Sequence, residues 1–242
     1  MEKKLVWDLP LRLFHWLLVL SVAGLWLTAH ADADYLQGLV SRFPDVVWME
    51  WHFRLGYFAL GLVLFRLIWG VVGPRHARFA SFVPGIVKLP AYLRTVFQRD
   101  SQHHAGHNPA GALVVVVMLA MLGAQAVTGL FTSDDIVWSG PWNPAVSGET
   151  ASLLGSIHHE NFEILQWLIA LHIVALVFYT VWKRQRLVPA MVTGRKPAAD
   201  VAAGEEITGS ALLRALVVVL LCAGVVYLVI TQAPPPPETD FY

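Results

Sequence analysis

Five long apolar runs limit what this chain can become more than any other feature of its 242 residues. They extend from Leu11 to Ala29, His52 to Val72, Gly111 to Phe131, Ile157 to Trp182 and Ala211 to Ile230. Crossing a bilayer core takes about 20 mostly apolar residues, and no water is there to satisfy backbone N–H and C=O groups. Each run is therefore expected to be a transmembrane helix. Composition agrees, with 56% apolar residues, 14% charged residues and a mean hydropathy of +0.56, whereas about a quarter of a soluble domain is charged. Trp7, Trp26, Trp48, Trp51, Trp69, Trp138, Trp142 and Trp182 fall at the edges of the runs, where an interfacial aromatic belt belongs. Lys3, Lys4 and the Ala29-His30-Ala31 triplet give the first run the look of a cleavable leader. Trp7, Asp8, Pro10, Arg12 and His15 favour a retained span instead.

Seventeen basic residues cancel seventeen acidic ones, and a chain without basic excess is not expected to bind nucleic acid. The zero conceals a separation. Lys3, Lys4 and Arg12 precede the first run; Arg75, Arg78, Lys88, Arg94 and Arg99 lie between the second and third. Lys183, Arg184, Arg186, Arg195, Lys196 and Arg214 lie between the fourth and fifth. Only Arg42 and Arg54 fall on the other side. That side carries Asp32, Asp34, Asp45, Glu50, Asp134, Asp135, Glu149, Glu160, Glu238 and Asp240. The positive-inside rule then expects a multi-pass membrane protein with its N-terminus in the cytoplasm and its C-terminal tail outside. In the long connection from Gly73 to Ala110, Pro90 could start a short interfacial helix with Leu93, Val96 and Phe97 on one side and Arg94 and Arg99 on another. A solvated loop is the other reading. The proline run ending at Pro237 reads as a stiff extended tail.

Ionisable side chains at membrane depth are costly and mark function by default. His15 lies early in the first run, His52 starts the second, and His158 and His172 lie on the fourth. The fourteen-residue interval between His158 and His172 is about 3.9 helical turns, so both rings share a face about 21 Å apart along the axis. His159 would be about 140° out of phase with His172, although a frayed helix end would permit it to replace His158. Depth pairs the four residues. His15 and His172 share the inner half, and His52 and His158 the outer half.

Two imidazole pairs at two depths are what two stacked haems need. The single Cys222 rules out an intrachain disulfide framework, a cysteine-based zinc or iron–sulfur site and a C-x-x-C-H attachment, so the haems would be b-type. The expected fold class is an all-α integral membrane protein: a four-helix transmembrane bundle holding two b haems, plus a fifth C-terminal transmembrane helix. Interhelical hydrogen bonding or a proton path is the plainer reading of the same histidines. His30, His76, His103, His104 and His107 read as solvated interfacial residues. Arg12, three residues before His15, and Arg66, near the inner end of the second run, could pair with haem propionates or simply snorkel.

Several segments together resemble the bacterial cytochrome b561 family, a superfamily that includes the cytochrome b subunits of nickel–iron hydrogenases. They are Val6-Trp7-Asp8-Leu9-Pro10, Arg12-Leu13-Phe14-His15-Trp16, Phe65-Arg66-Leu67-Ile68-Trp69-Gly70, Gly73-Pro74-Arg75-His76-Ala77-Arg78-Phe79, Gly106-His107-Asn108-Pro109 and Leu171-His172. The resemblance covers residues 5 to about 196. It implies a four-helix di-haem b cytochrome that moves electrons between the quinone pool, ubiquinone or menaquinone, and a redox partner. The axial histidines it implies are His15, His52, His158 and His172. The sequence departs from the family at His159, where Glu is frequent, and in its fifth span, which the four-span core lacks. Residues 1–196 are thus expected to form the di-haem domain, and 197–242 a C-terminal helix with a periplasmic tail.

Three functions remain open from the sequence. One is an electron conduit to a periplasmic c-type cytochrome or dehydrogenase subunit. The second is a superoxide:quinone oxidoreductase, an activity found in the family, and the third is a non-redox membrane protein. The acidic outer surface favours the conduit, because it repels superoxide and attracts a cationic protein. A local basic funnel around Arg54 would reverse that argument for a small anion. Gln125, Thr128 and His107 are polar enough to meet a quinone, yet such groups more often serve helix packing, and they receive no role here.

Overall fold

The computed structural model describes residues 2–98, 104–134 and 136–235. Arg99, His103, Asp135, Glu238, Asp240 and the end of the proline tail lie outside the described residues. Among the described residues eight α-helices follow in order: α1 (Leu9–Ala29), α2 (Gln37–Val40), α3 (Trp48–Val72), α4 (Leu89–Thr95), α5 (Pro109–Thr128), α6 (Gly148–Val181), α7 (Leu187–Thr193) and α8 (Leu212–Thr231). Five of them, α1, α3, α5, α6 and α8, are long and apolar enough to cross a membrane.

Four of these helices, all but α8, start earlier than hydropathy alone indicates, α3 and α6 by the most. α3 begins at Trp48, so His52 sits in its second turn rather than at its start. α6 begins at Gly148 and runs for 34 residues, about 51 Å of helix, which exceeds the roughly 30 Å hydrocarbon core. Its first turns, ahead of Ile157 and containing Glu149, Thr150, Ser152 and Ser156, are polar helix that the apolar window cannot register. The third span ends sooner, at Thr128, because Gly129 and the following turn leave the helix before Phe131.

Local chemistry sets the helix starts. The Asp8 carboxylate accepts the Leu11 N–H at 2.9 Å as the N-cap of α1, with Pro10 in the first turn. Asn108 caps α5 through the Gly111 N–H at 2.7 Å, followed at once by Pro109, and Ser147 caps α6. Each cap satisfies a backbone donor that the helix cannot. Proline costs nothing there because no helical partner awaits its missing N–H.

The spans pack as two pairs. α1 lies on α3 and α5 lies on α6; α3 also touches α5 and carries α8 on another side, while α6 makes little direct contact with α1 or α3. The core at the N-terminal end of α1 joins Trp7, Leu11 and Phe14 to Phe65 and Trp69 of α3 and to Ala215, Val218 and Cys222 of α8. Trp69 is fully buried and its indole N–H donates to Asp8 at 2.9 Å, so one carboxylate both caps α1 and ties it to α3.

β1 (Lys3–Leu5) pairs antiparallel with β2 (Arg195–Pro197). Gly194, at φ +79°, closes α7 in a left-handed conformation that lets its carbonyl accept the Val6 and Trp7 N–H groups at 2.9 and 3.1 Å. The connection 73–108 joins this end through Lys196 Nζ to the His104 carbonyl and His76 Nε2 to the Glu205 carbonyl. Hence the N-terminal strand and both basic connections occupy one end of the bundle. The short helix expected from Pro90 is α4, which ends at Thr95 and leaves Val96 and Phe97 beyond it; Leu93 and Phe97 are exposed, and Tyr92 is hydrogen-bonded to Tyr179 of α6 at 2.6 Å.

Candidate functional site

The four membrane-depth histidines project from three helices: His15 from α1, His52 from α3, and His158 and His172 from α6. His15 and His172 lie close enough for their charges to interact, and so do His52 and His158. All four rings are partly buried. Among the described residues, no three His, Cys, Asp or Glu side chains converge on one point. A pair of imidazoles can therefore hold a metal firmly only where a planar macrocycle supplies the remaining ligands, as haem does.

The pair His52 and His158 is oriented with unusual symmetry. His158 Nδ1 lies 3.0 Å from the Gln125 carbonyl and 3.2 Å from Thr128 Oγ1, both near the end of α5. A carbonyl only accepts, so Nδ1 carries the proton and Nε2 keeps its lone pair. His52 Nδ1 lies 3.0 Å from Thr28 Oγ1 and meets the Leu25 carbonyl, near the end of α1. Both threonine hydroxyls donate to the carbonyl four residues back, Thr28 to Gly24 at 2.9 Å and Thr128 to Ala124 at 2.7 Å. Each oxygen is thus free only to accept. Gly129 lets α5 approach His158 closely: a Cβ there would sit 2.9 Å from Cε1 of the ring.

The pair His15 and His172 has a different setting. His15 Nδ1 is enclosed and has no hydrogen-bond partner among the described residues, and the ring meets Trp16 edge to face at 5.0 Å. Arg12 donates to the Val192 carbonyl of α7 at 2.5 Å, while its Nε is buried without a partner. Arg66 is 2% exposed, held over Phe79 at 4.6 Å and bonded to the Ala77 carbonyl at 3.1 Å, with one guanidinium nitrogen left unpartnered. Both guanidiniums are anchored to backbone inside the fold rather than extended to the headgroups. Their open donor sites suit anionic groups of a buried cofactor. Donor set and enclosed polar atoms alike therefore fit haem.

The remaining histidines separate into two groups. His159 is exposed and bonds the Gly155 carbonyl of its own helix at 2.8 Å; His30 stacks on Trp26 and bonds its carbonyl. His76 and His107, expected as solvated, are instead packed beneath the end of the bundle that holds β1 and β2. His76 is 7% exposed, and the His107 ring lies 4.8 Å from Trp7 and 4.6 Å from Phe82 with Nδ1 shut off from solvent. Burial, helped by the nearby Arg66 and Lys196 charges, pushes His107 down to about 3, and burial lowers His76 as well. Burial also draws Lys196 down to about 8. Sequence reasoning missed Thr28 altogether, and Thr128 and Gln125 turn out to be engaged: Gln125 accepts from Asn161 Nδ2 at 2.6 Å. One available signal was that both threonines stand at the end of a span antiparallel to one that carries a histidine at the same depth.

The chain is similar to curated proteins named probable Ni/Fe-hydrogenase B-type cytochrome subunits. The protein from Azotobacter chroococcum mcd 1 is 27% identical over 211 residues, 78% of this chain and 86% of its own length. That from Cupriavidus necator is 25% identical over 223 residues, covering 81% of this chain and 87% of the relative. A hydrogenase 1 counterpart from Escherichia coli K12 is 32% identical over 137 residues, 51% of this chain and 57% of its length. No solved structure matches the chain. The family model described as prokaryotic cytochrome b561 matches residues 6–194, spanning α1 to α7 and leaving out α8, and the chain belongs to that family.

Proposed function

We propose that this membrane b-type cytochrome carries electrons between the quinone pool and a redox protein at its acidic face, over two haem b groups stacked along the bundle. His15 and His172 would hold the inner haem and His52 and His158 the outer one. The observation that carries this reading is the meeting of two imidazole pairs at two depths, with both members of the outer pair fixed in the tautomer that leaves Nε2 free. Bound haem supplies one-electron chemistry, while the chain's residues orient it and set its electrostatic surroundings. Arg12 and Arg66 are suited to the inner propionates through their unfilled donors.

Positive-inside charge supports placing the end that holds β1 and β2 in the cytoplasm of a bacterial inner membrane. The opposite end, with Asp32, Asp34, Asp45, Glu149 and Glu160 exposed, would then face the periplasm. A cationic c-type cytochrome or a dehydrogenase subunit suits that field; the names of the relatives favour a hydrogenase-like dehydrogenase subunit. The superoxide reading is weakened by one contact. Arg54, the centre of any basic funnel, is ion-paired with Glu50 on the preceding turn. Mixing the purified cytochrome with quinol or quinone and with candidate periplasmic proteins in either redox state tests the proposal. Electron exchange of the haems with both supports it, whereas reduction by superoxide with no protein partner would favour the alternative.

A further inference from the structure

We propose that Thr28 and Thr128 are matched positioning residues that hold His52 and His158 with Nε2 toward the metal and make the outer haem site the lower-potential one of the two. The inference rests on the four-histidine reading above and goes beyond it. Its basis is a repeated motif. In each case a buried threonine, 6% and 7% exposed, closes a span and spends its only hydroxyl hydrogen on the carbonyl four residues back. It thereby turns a pure acceptor toward a histidine on the antiparallel neighbouring helix, and the carbonyl three residues back, of Leu25 or Gln125, supplies a second acceptor. The two arrangements come from different helix pairs, α1 with α3 and α5 with α6, and they differ in their flanking residues.

The electronic consequence follows from the direction of these hydrogen bonds. Acceptors drawn toward Nδ1–H leave more electron density on the ring, so Nε2 donates more strongly and the oxidised metal is favoured. Among the described residues His15 has no such acceptor, since its Nδ1 is enclosed without a partner there. Arg12, on the same face one turn earlier, instead favours the added electron at the inner site. Both differences act in the same sense. They make electron movement from the outer to the inner site downhill.

The test uses Thr28→Val and Thr128→Val in the full-length chain, which remove the hydroxyl and keep the side-chain volume. Pyridine haemochrome analysis should return the wild-type haem content, and spectroelectrochemical titration should show the lower of two midpoint potentials shifted upward with the higher unchanged. The component missing in His158→Ala identifies the outer site. Should a valine variant lose haem, Thr28→Ser and Thr128→Ser decide: keeping the hydroxyl, they should retain both haems at wild-type potentials. Unmoved potentials in haem-replete valine variants, a shift confined to the higher potential, or serine variants that lose the outer haem would overturn the proposal. If His52→Ala and His158→Ala both keep two haems, the ligand reading itself has failed, a result separable from all of these.

Discussion

The His158 imidazole donates from Nδ1 to the Gln125 carbonyl at 3.0 Å, linking α6 to α5 at the depth where His52 of α3 approaches from the other helix pair. Closeness of α5 at this point depends on Gly129, which has only a hydrogen where a Cβ would crowd the ring. Gly129→Ala is predicted to push His158 off its acceptor and to lower haem content by up to one equivalent per chain, leaving the inner haem in place. Haem quantification with an absorbance spectrum of the remaining haem checks this. An unchanged content and spectrum would show that the ring has room to spare.

Asp8 serves two partners at once, the Leu11 N–H and the Trp69 indole. Asp8→Ala removes a helix cap worth about 1 kcal/mol and strands a buried indole N–H at a further cost of about 1–3 kcal/mol. A markedly lower midpoint of thermal unfolding in detergent is expected, followed by helical circular dichroism. Asp8→Asn, which still accepts both bonds, should fall between wild type and alanine.

Acid should weaken the inner end. His107 is held near 3 against an ordinary value of 6.5, so the folded chain binds fewer protons than the unfolded one between those values. Stability therefore rises with pH through that window and is lost as pH falls below about 6.5. His76, also lowered, adds in the same sense. At pH 5 the loss from His107 is about 1–2 kcal/mol. His107→Leu should flatten the pH dependence of the unfolding midpoint between pH 7 and 5, and an identical slope in the variant would exclude His107 as its source.

The helix starts were legible because their chemistry is local. Asp8-Leu9-Pro10 and Asn108-Pro109 are cap and proline pairs, and they begin α1 and α5. Depth and phase placed the four histidines on three spans because membrane length and the helical repeat are fixed quantities. The buried state of His76 and His107 was not legible, since it arises when the 73–108 connection folds back beneath Trp7 and against residues 196–205, a long-range arrangement without periodicity. Thr28 was illegible for a similar reason. A threonine within an apolar run looks like any small packing residue until the antiparallel register brings a histidine to its oxygen.

Electron exchange at the acidic face should depend on salt. Raising ionic strength from 0.01 to 0.15 M shortens the screening length from about 30 to about 8 Å. Stopped-flow exchange with a lysine-rich c-type cytochrome is predicted to slow severalfold over that range. A rate that stays constant or rises with salt would remove the electrostatic argument for a cationic partner.

The central claim is that four histidines hold two haems. Pyridine haemochrome analysis of the purified protein, wild type beside His15→Ala, His52→Ala, His158→Ala and His172→Ala, tests it most directly. The account predicts two haem b per wild-type chain and one in each variant. A wild-type value near zero, or two haems retained in every variant, would contradict it.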